Sequence, residues 1–204
     1  GPRSGWLTLA TGASQRIGYE IPGRSWMYTR RIRRDRELRP RHSVVNQWDL
    51  LQGIAGWTVG EPDPARDAVE MVPDAGSERR VGERLASAGV NASHHLIVVH
   101  VSAGNPFRRW PEEAFVRLIA GLAAEPERRL ILSSGPSDRL AADRIASSAR
   151  QILGPAHASR VLDYGDFDLG ELRALVARSR LFIGGDTGPL HIAATTATPV
   201  VAVF

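Results

Sequence analysis

The stretch Leu181-Phe-Ile-Gly-Gly-Asp-Thr-Gly-Pro-Leu-His-Ile-Ala-Ala runs from an apolar segment through a glycine-rich loop into a helical pattern of small residues. In a parallel sheet such a loop stands at the carboxyl edge of its strand, where doubly wound folds bind ligands. Gly184, Gly185 and Gly188 let the backbone come close to a ligand, and the N–H groups that open the next helix suit an anion. Thr187 adds a hydroxyl and His191 a ring donor one turn in, which together describe a phosphate cradle built without lysine. Asp186 needs a separate account, because a carboxylate repels phosphates. It either caps the helix or accepts hydrogen bonds from sugar hydroxyls beyond them. His191 taken alone reads as a half-buried, hydrogen-bonded helix residue; its place beside the glycine loop turns the reading towards a ligand contact.

A second constellation, His100-Val-Ser-Ala-Gly-Asn-Pro-Phe-Arg-Arg-Trp-Pro, repeats the layout of strand end, loop and helix start. Ser102, the loop N–H groups and either Arg108 or Arg109 would meet the same anion from the opposite side. A guanidinium fork bridges two phosphate oxygens at about 1.5–3 kcal/mol for a charge-assisted bond. The plainer alternative leaves both arginines in solvent and Trp110 as packing. A third loop, Ser133-Ser-Gly-Pro-Ser-Asp138, has an acid that suits either a ribose or a helix cap.

Several chemistries are excluded. The chain has no cysteine, which removes thiolate metal sites, disulfides and a cysteine nucleophile. All 26 basic residues are arginine, so a P-loop lysine, a Schiff base and a lysine general base are ruled out. The six histidines form no HxxxH or HExxH pair, and neither G-x-S-x-G nor G-x-G-x-x-G occurs, so no metal site or cofactor is expected.

The elements that must position these loops are legible from residue 94 onward. Apolar runs at Leu96–Val101, Leu130–Ser133, Arg160–Leu162, Leu181–Ile183 and Val200–Phe204 alternate with amphipathic segments, the signature of an α/β fold with a parallel, Rossmann-like sheet. Four helices are predicted between them. Pro111 with Glu112 and Glu113 suits a first helical turn, followed by Phe115, Leu118, Ile119 and Leu122 on one face. Asp168 and Glu171 form a capping box ahead of Leu172, Leu175 and Val176. Asp138 opens another helix, with Leu140 and Ile145 inward.

The first 90 residues are less regular. Trp6–Ala10 reads as a strand, and Ser43 as the cap of a helix with Val44, Trp48, Leu51 and Ala55 on one face. Between them lie eight arginines from Arg24 to Arg41. Gly60–Asp74, rich in proline and acid, reads as a linker, and a helix near Glu78–Ala88 follows. With 204 residues, a net charge of +4 and 43% hydrophobic residues, the chain suits one domain, or one domain plus a fragment of another, with an anionic partner. No apolar run of about 18 residues or more exists, and the N-terminus lacks a signal-peptide layout.

The two main loops together resemble glycosyltransferase family 9, the ADP-heptose:lipopolysaccharide heptosyltransferases. Members carry a strand, a His-Pro-Gly-like loop leading to Lys-x-Trp-Pro, and later Asp-Ser/Thr-Gly-x-x-His ahead of a Thr-Pro-Val-Val strand. Here these stand as His100-Val-Ser-Ala-Gly with Arg108-Arg-Trp-Pro111, and as Asp186-Thr-Gly-Pro-Leu-His191 with Thr198-Pro-Val-Val201. Gln15–Tyr19 and His42–Leu51 are similar to the later part of the family's N-terminal domain, so the resemblance spans nearly the whole chain.

The resemblance implies a GT-B architecture, with two Rossmann-like domains facing across a cleft. On that basis residues 1–60 are the remnant of an N-terminal, acceptor-side domain and 61–93 a linker and connecting helix. Residues 94–204 are the nucleotide-sugar-binding domain, truncated at its C-terminus. The implied activity is that of an inverting transferase passing the sugar of a nucleotide-diphospho-sugar, ADP-heptose, to a lipopolysaccharide core acceptor. Thr187, Gly188 and His191 would hold the pyrophosphate, Asp186 the donor sugar and Asp138 the ribose. Arg108 stands where the family has lysine, which keeps the charge and changes the donor geometry. The family's general-base aspartate is expected before residue 1, because Glu20, Asp35, Glu37 and Asp49 stand in other contexts. The partners implied are the nucleotide sugar and an anionic glycolipid acceptor, with the arginine-rich stretch against the cytoplasmic face of the inner membrane. No nucleic acid and a cytoplasmic location are expected. The alternatives are another GT-B transferase, a sugar-nucleotide epimerase, or a nucleic-acid-binding protein using the arginine stretch with Trp26 and Tyr28.

Overall fold

Strands β3 (His95–His100), β4 (Arg128–Ser133), β5 (Val161–Asp163), β6 (Leu181–Gly185) and β7 (Val200–Val203) form one parallel sheet in the order β5-β4-β3-β6-β7. They are numbered after two short strands nearer the N-terminus, β1 (Ile17–Tyr19) and β2 (Arg30–Ile32). The computed structural model describes residues 2–33, 43–58, 60–102, 109–164 and 166–203; Arg108 and the later arginines of the Arg24–Arg41 stretch lie outside them. The chain divides into two compact units, Gly1–Ala68 and Val69–Phe204.

In the second unit the pleat decides the layers. Ile97, Val99, Leu130 and Leu132 point to one face, where α4 (Glu112–Ala123) and α5 (Arg139–Leu153) cover them with Phe115, Ile119, Ile145 and Ala149. Leu96, Val98, Ile131 and Phe182 point to the other, under α3 (Ala75–Ser87) and α6 (Leu169–Ala177). Val81 and Leu85 of α3 are buried in this layer, so the helix is part of the second unit's core. Each fully buried side chain of this kind contributes about 1.5–3 kcal/mol. The short α7 (Gly188–Ala193) follows β6.

Local signals hold the helices in place. Asp168 and Glu171 make the reciprocal capping box, with Glu171 N–H donating to Asp168 Oδ1 at 2.7 Å. Pro111 stands at the N-cap of α4 with Glu112 and Glu113 in the first turn. In α5 the inward residues are Ala142, Ile145, Ala146 and Ala149, while Leu140 is 75% exposed. The expectation that Leu140 faces inward with Ile145 fails because five residues turn a helix by about 140° beyond a full revolution.

The first unit corrects a further expectation. Pro2–Ala10 is a helix, α1, and not a strand. Gly5 is its buried residue: a methyl group there would lie 2.8 Å from Met27 Sδ, so the glycine lets the helix close on its neighbour. β1 and β2 pair in parallel, Ile17 opposite Arg30, and α2 (Ser43–Trp48) follows with Val44 49% exposed. Among the described residues no helix is long and apolar enough to cross a membrane.

Candidate functional site

The winding of the sheet reverses between β3 and β6, and in doubly wound sheets the ligand crevice opens outside the carboxyl ends of the strands at that point. The register places His100 opposite both Ser133 on β4 and Gly184 on β6, so three strands end level and their loops leave from one edge. A cavity of about 340 Å³ lies there, lined among others by Ser102, Ser134, Asp138, Phe167 and Thr187.

Three of the residues singled out from the sequence meet at this cavity. Ser102 is buried, and its Oγ accepts the N–H of Gly135 at 2.8 Å, so a side chain after β3 holds the turn after β4. Asp138 stands at the N-cap position of α5, yet its side chain makes no capping bond; its Oδ1 pairs with Arg109 Nη2 at 3.1 Å. Thr187 is the N-cap residue of α7, again without a side-chain cap, and its hydroxyl donates to Gly185 C=O at 3.3 Å.

Others stand apart. Asp186 Oδ1 lies 3.7 Å from His191 Nε2, with the imidazole 73% exposed, so His191 is not a half-buried helix residue. Neither residue is among those lining the cavity, and neither is Gly188, around which a methyl group would meet open space. Arg108 lies outside the described residues. Arg109, the other candidate of the pair, is the arginine that reaches Asp138. Trp110 packs edge-on against Phe115 with ring centroids 5.0 Å apart, which anchors the end of that loop to the core.

Sequence reasoning treated His100 as the head of a motif and Ser134 as a turn residue. Both belong to the cavity wall. His100 is 5% exposed, its Nδ1 lies 3.0 Å from Ser133 Oγ, and burial pushes its pKa down to about 4 while the Asp138 carboxylate pulls it the other way. The ring is therefore neutral at pH 7. The available signal was a polar residue closing the apolar run 96–99, at the edge where the loops gather. Phe167 was missed as well. The guanidinium of Arg84 lies 4.4 Å from its ring centroid and donates to Tyr164 C=O at 2.8 Å, so α3 holds this wall in place. Among the described residues no cluster of three or more His, Asp or Glu side chains is gathered that would hold a metal ion.

A doubly wound parallel sheet with a cavity at its point of reversal defines a Rossmann-like α/β protein. Within that class the chain belongs to glycosyltransferase family 9 (heptosyltransferase), whose family model matches residues 2–204. It is 32% identical over 130 residues to lipopolysaccharide heptosyltransferase 3 of Escherichia coli K12, covering 62% of this chain and 35% of that protein. The glycosyltransferase family 9 structure from Veillonella parvula superposes with a TM-score of 0.78 at 20% identity, covering 99% of this chain and 54% of that one. E. coli heptosyltransferase WaaC, solved with ADP-2-deoxy-2-fluoro heptose, gives 0.58 at 20% identity over 90% of this chain and 50% of that one. The fold is thus the GT-B type, and the chain spans roughly a third to a half of the length of these relatives.

Proposed function

We propose that this chain carries the donor site of an inverting glycosyltransferase that takes a nucleotide-diphospho-sugar, ADP-heptose, and passes the sugar to a lipopolysaccharide core acceptor. The observation that carries the reading is the meeting of Ser102, Asp138 and Thr187 around one cavity at the reversal of the sheet. Family membership supports the class of reaction, and the ADP-sugar bound in the WaaC structure supports the choice of donor.

In this reading residues 94–204 bind the donor, 1–60 belong to the acceptor side and 61–93 connect them. An acceptor hydroxyl, relieved of its proton by a carboxylate base, attacks the anomeric carbon as the nucleoside diphosphate departs from the opposite face. Charge grows on the departing diphosphate. Thr187, Gly188, His191 and Arg108 take up that charge, which is electrostatic stabilisation of the kind that dominates many transfers. Asp186 holds the donor sugar and Asp138 the ribose. The arginine-rich stretch meets the anionic acceptor at the cytoplasmic face of the inner membrane; exposed Arg30 and Arg31 on β2 support that orientation.

A thermal-shift panel of ADP, UDP, GDP and dTDP on this chain tests the proposal. A ligand at 100 times its dissociation constant adds about 2.7 kcal/mol, several degrees for a chain of this size. ADP is expected to give the largest shift. A UDP preference redirects the assignment to another GT-B transferase or an epimerase, and no shift with any of the four overturns the donor site.

A further inference from the structure

Ser134 Oγ is, among the described residues, the buried side-chain nitrogen or oxygen that has no hydrogen-bond partner, and its residue is 7% exposed in the wall of the cavity. A native protein rarely leaves such a group unmade without a use, because an unsatisfied buried hydroxyl carries a desolvation cost. Beside it on the same wall stands His100, whose Nδ1 is engaged by Ser133 Oγ at 3.0 Å. That leaves Nε2 as the ring atom unpartnered among the described residues. It is a donor when Ser133 donates to Nδ1 and an acceptor in the opposite tautomer.

The charges around this wall select the ligand. The side chains of Asp138, paired with Arg109, and of Asp166 line the cavity as acceptors, no described arginine is itself part of the lining, and the imidazole is uncharged at pH 7. Phosphate oxygens only accept hydrogen bonds and would meet carboxylates here. A sugar hydroxyl both donates and accepts, so it satisfies the carboxylates, the serine and either tautomer of the ring. A serine side chain has a single torsion with three staggered wells, so presenting its hydroxyl to a ligand needs no movement of the backbone.

We propose that His100 Nε2 and Ser134 Oγ form a hydroxyl-recognising subsite in the cavity wall that reads a sugar of the bound nucleotide and leaves the diphosphate to the other loops. This rests on the donor-site reading above and assigns two further specificity-determining residues to it.

The test measures dissociation constants by calorimetry for ADP, 2′,3′-dideoxy-ADP, ADP-glucose and inorganic pyrophosphate against the wild-type chain, S134A, H100F and H100Q. S134A removes an unpartnered group, so the ligand-free protein should melt no lower than wild type. Its affinity for the sugar-bearing probe should fall roughly three- to tenfold, the range of one neutral hydrogen bond, with pyrophosphate unchanged. H100F should lose affinity by a similar factor, and H100Q, which keeps a neutral polar end, should recover part of it. A loss on ADP that vanishes with dideoxy-ADP identifies the ribose as the source; a loss confined to ADP-glucose identifies the transferred sugar. No loss, or a loss shared by dideoxy-ADP or by pyrophosphate, overturns the subsite. If wild type binds none of the nucleotides, it is the donor-site reading itself that fails.

Discussion

Gly184 on β6 lies against His100 on β3: a methyl group placed on the glycine would stand 3.2 Å from His100 Cβ and 3.0 Å from a ring carbon of Phe182. Both neighbours are buried, Phe182 fully, and neither can swing away. The glycine therefore makes room for the imidazole that closes the cavity, which is a different role from admitting a ligand to the backbone. Gly184→Ala should destabilise the chain by about 1–3 kcal/mol through overpacking. Urea unfolding checks this, and a stability equal to wild type would show that His100 has room the structure does not provide.

His100 also gives stability a defined dependence on pH. Its folded pKa of about 4 lies below the ordinary value of 6.5, so the unfolded chain binds the proton more readily. Stability from the buried neutral ring is complete above about pH 6.5 and is lost as pH falls towards 4, on the order of 2 kcal/mol between pH 7.5 and 5. The Asp138 carboxylate opposes the shift and limits it. Unfolding free energies of wild type and His100→Gln at pH 7.5 and 5 should differ in slope, with the glutamine variant losing less.

The second unit was largely readable in the sequence because its strands are buried on both faces and so appear as unbroken runs of Ile, Val and Leu, each set off by glycine or a helix cap. The site was readable only in part. Loop composition pointed to Ser102, Asp138 and Thr187, which do converge, but it could not say which side of the β6 loop faces the cavity. That orientation leaves Asp186 and His191 facing each other, outside the cavity lining. His100 was read only as the head of a motif because its place in the cavity wall comes from register, opposite Ser133 and Gly184, and pairing between strands 33 and 84 residues away has no local signature. The helix at 2–10 was misread for a related reason: Leu7, Leu9 and Trp6 suggest alternation, while the decisive residue is Gly5, whose packing against Met27 is a tertiary contact.

The face of α5 offers a sharp internal comparison. Ile145 is 1% exposed among Ile119, Leu132 and Ala149, whereas Leu140 on the same helix is 75% exposed. Ile145→Ala should cost about 2–5 kcal/mol by opening a cavity under β4, and Leu140→Ala no more than about 0.5 kcal/mol. Chemical denaturation of the two variants side by side distinguishes them, and comparable losses would mean that α5 is rotated from the orientation described.

Asp168 serves two partners, the N–H of Glu171 in the capping box and the guanidinium of Arg80 at 3.2 Å. The ion pair is solvent-exposed on both sides and is worth little, whereas an N-cap is worth about 1 kcal/mol. Asp168→Ala should therefore lower stability by about that amount, while Asp168→Ser, which keeps a capping oxygen and removes the charge, should stay close to wild type. If the serine variant fell as far as the alanine one, the charge and not the cap would be what holds the start of α6.

Ser102 joins stability to binding in one side chain. Its Oγ accepts the Gly135 N–H at 2.8 Å, fixing the turn that carries Ser134, Ser137 and Asp138 around the cavity. Ser102→Ala leaves that N–H without its partner, at about 1–3 kcal/mol if no water replaces the hydroxyl. The turn is then free to drift, so Asp138 loses its set position on the cavity wall even though it is not itself altered. The expected result is a lower melting temperature together with an affinity for ADP reduced by more than the loss of one contact, because the substitution removes a hydroxyl and the order of the neighbouring loop at once. Ser102→Thr keeps the oxygen and should restore the melting temperature. If it restores stability but leaves ADP binding weak, the added methyl group has reached the ligand, which would place Ser102 in direct contact with the nucleotide.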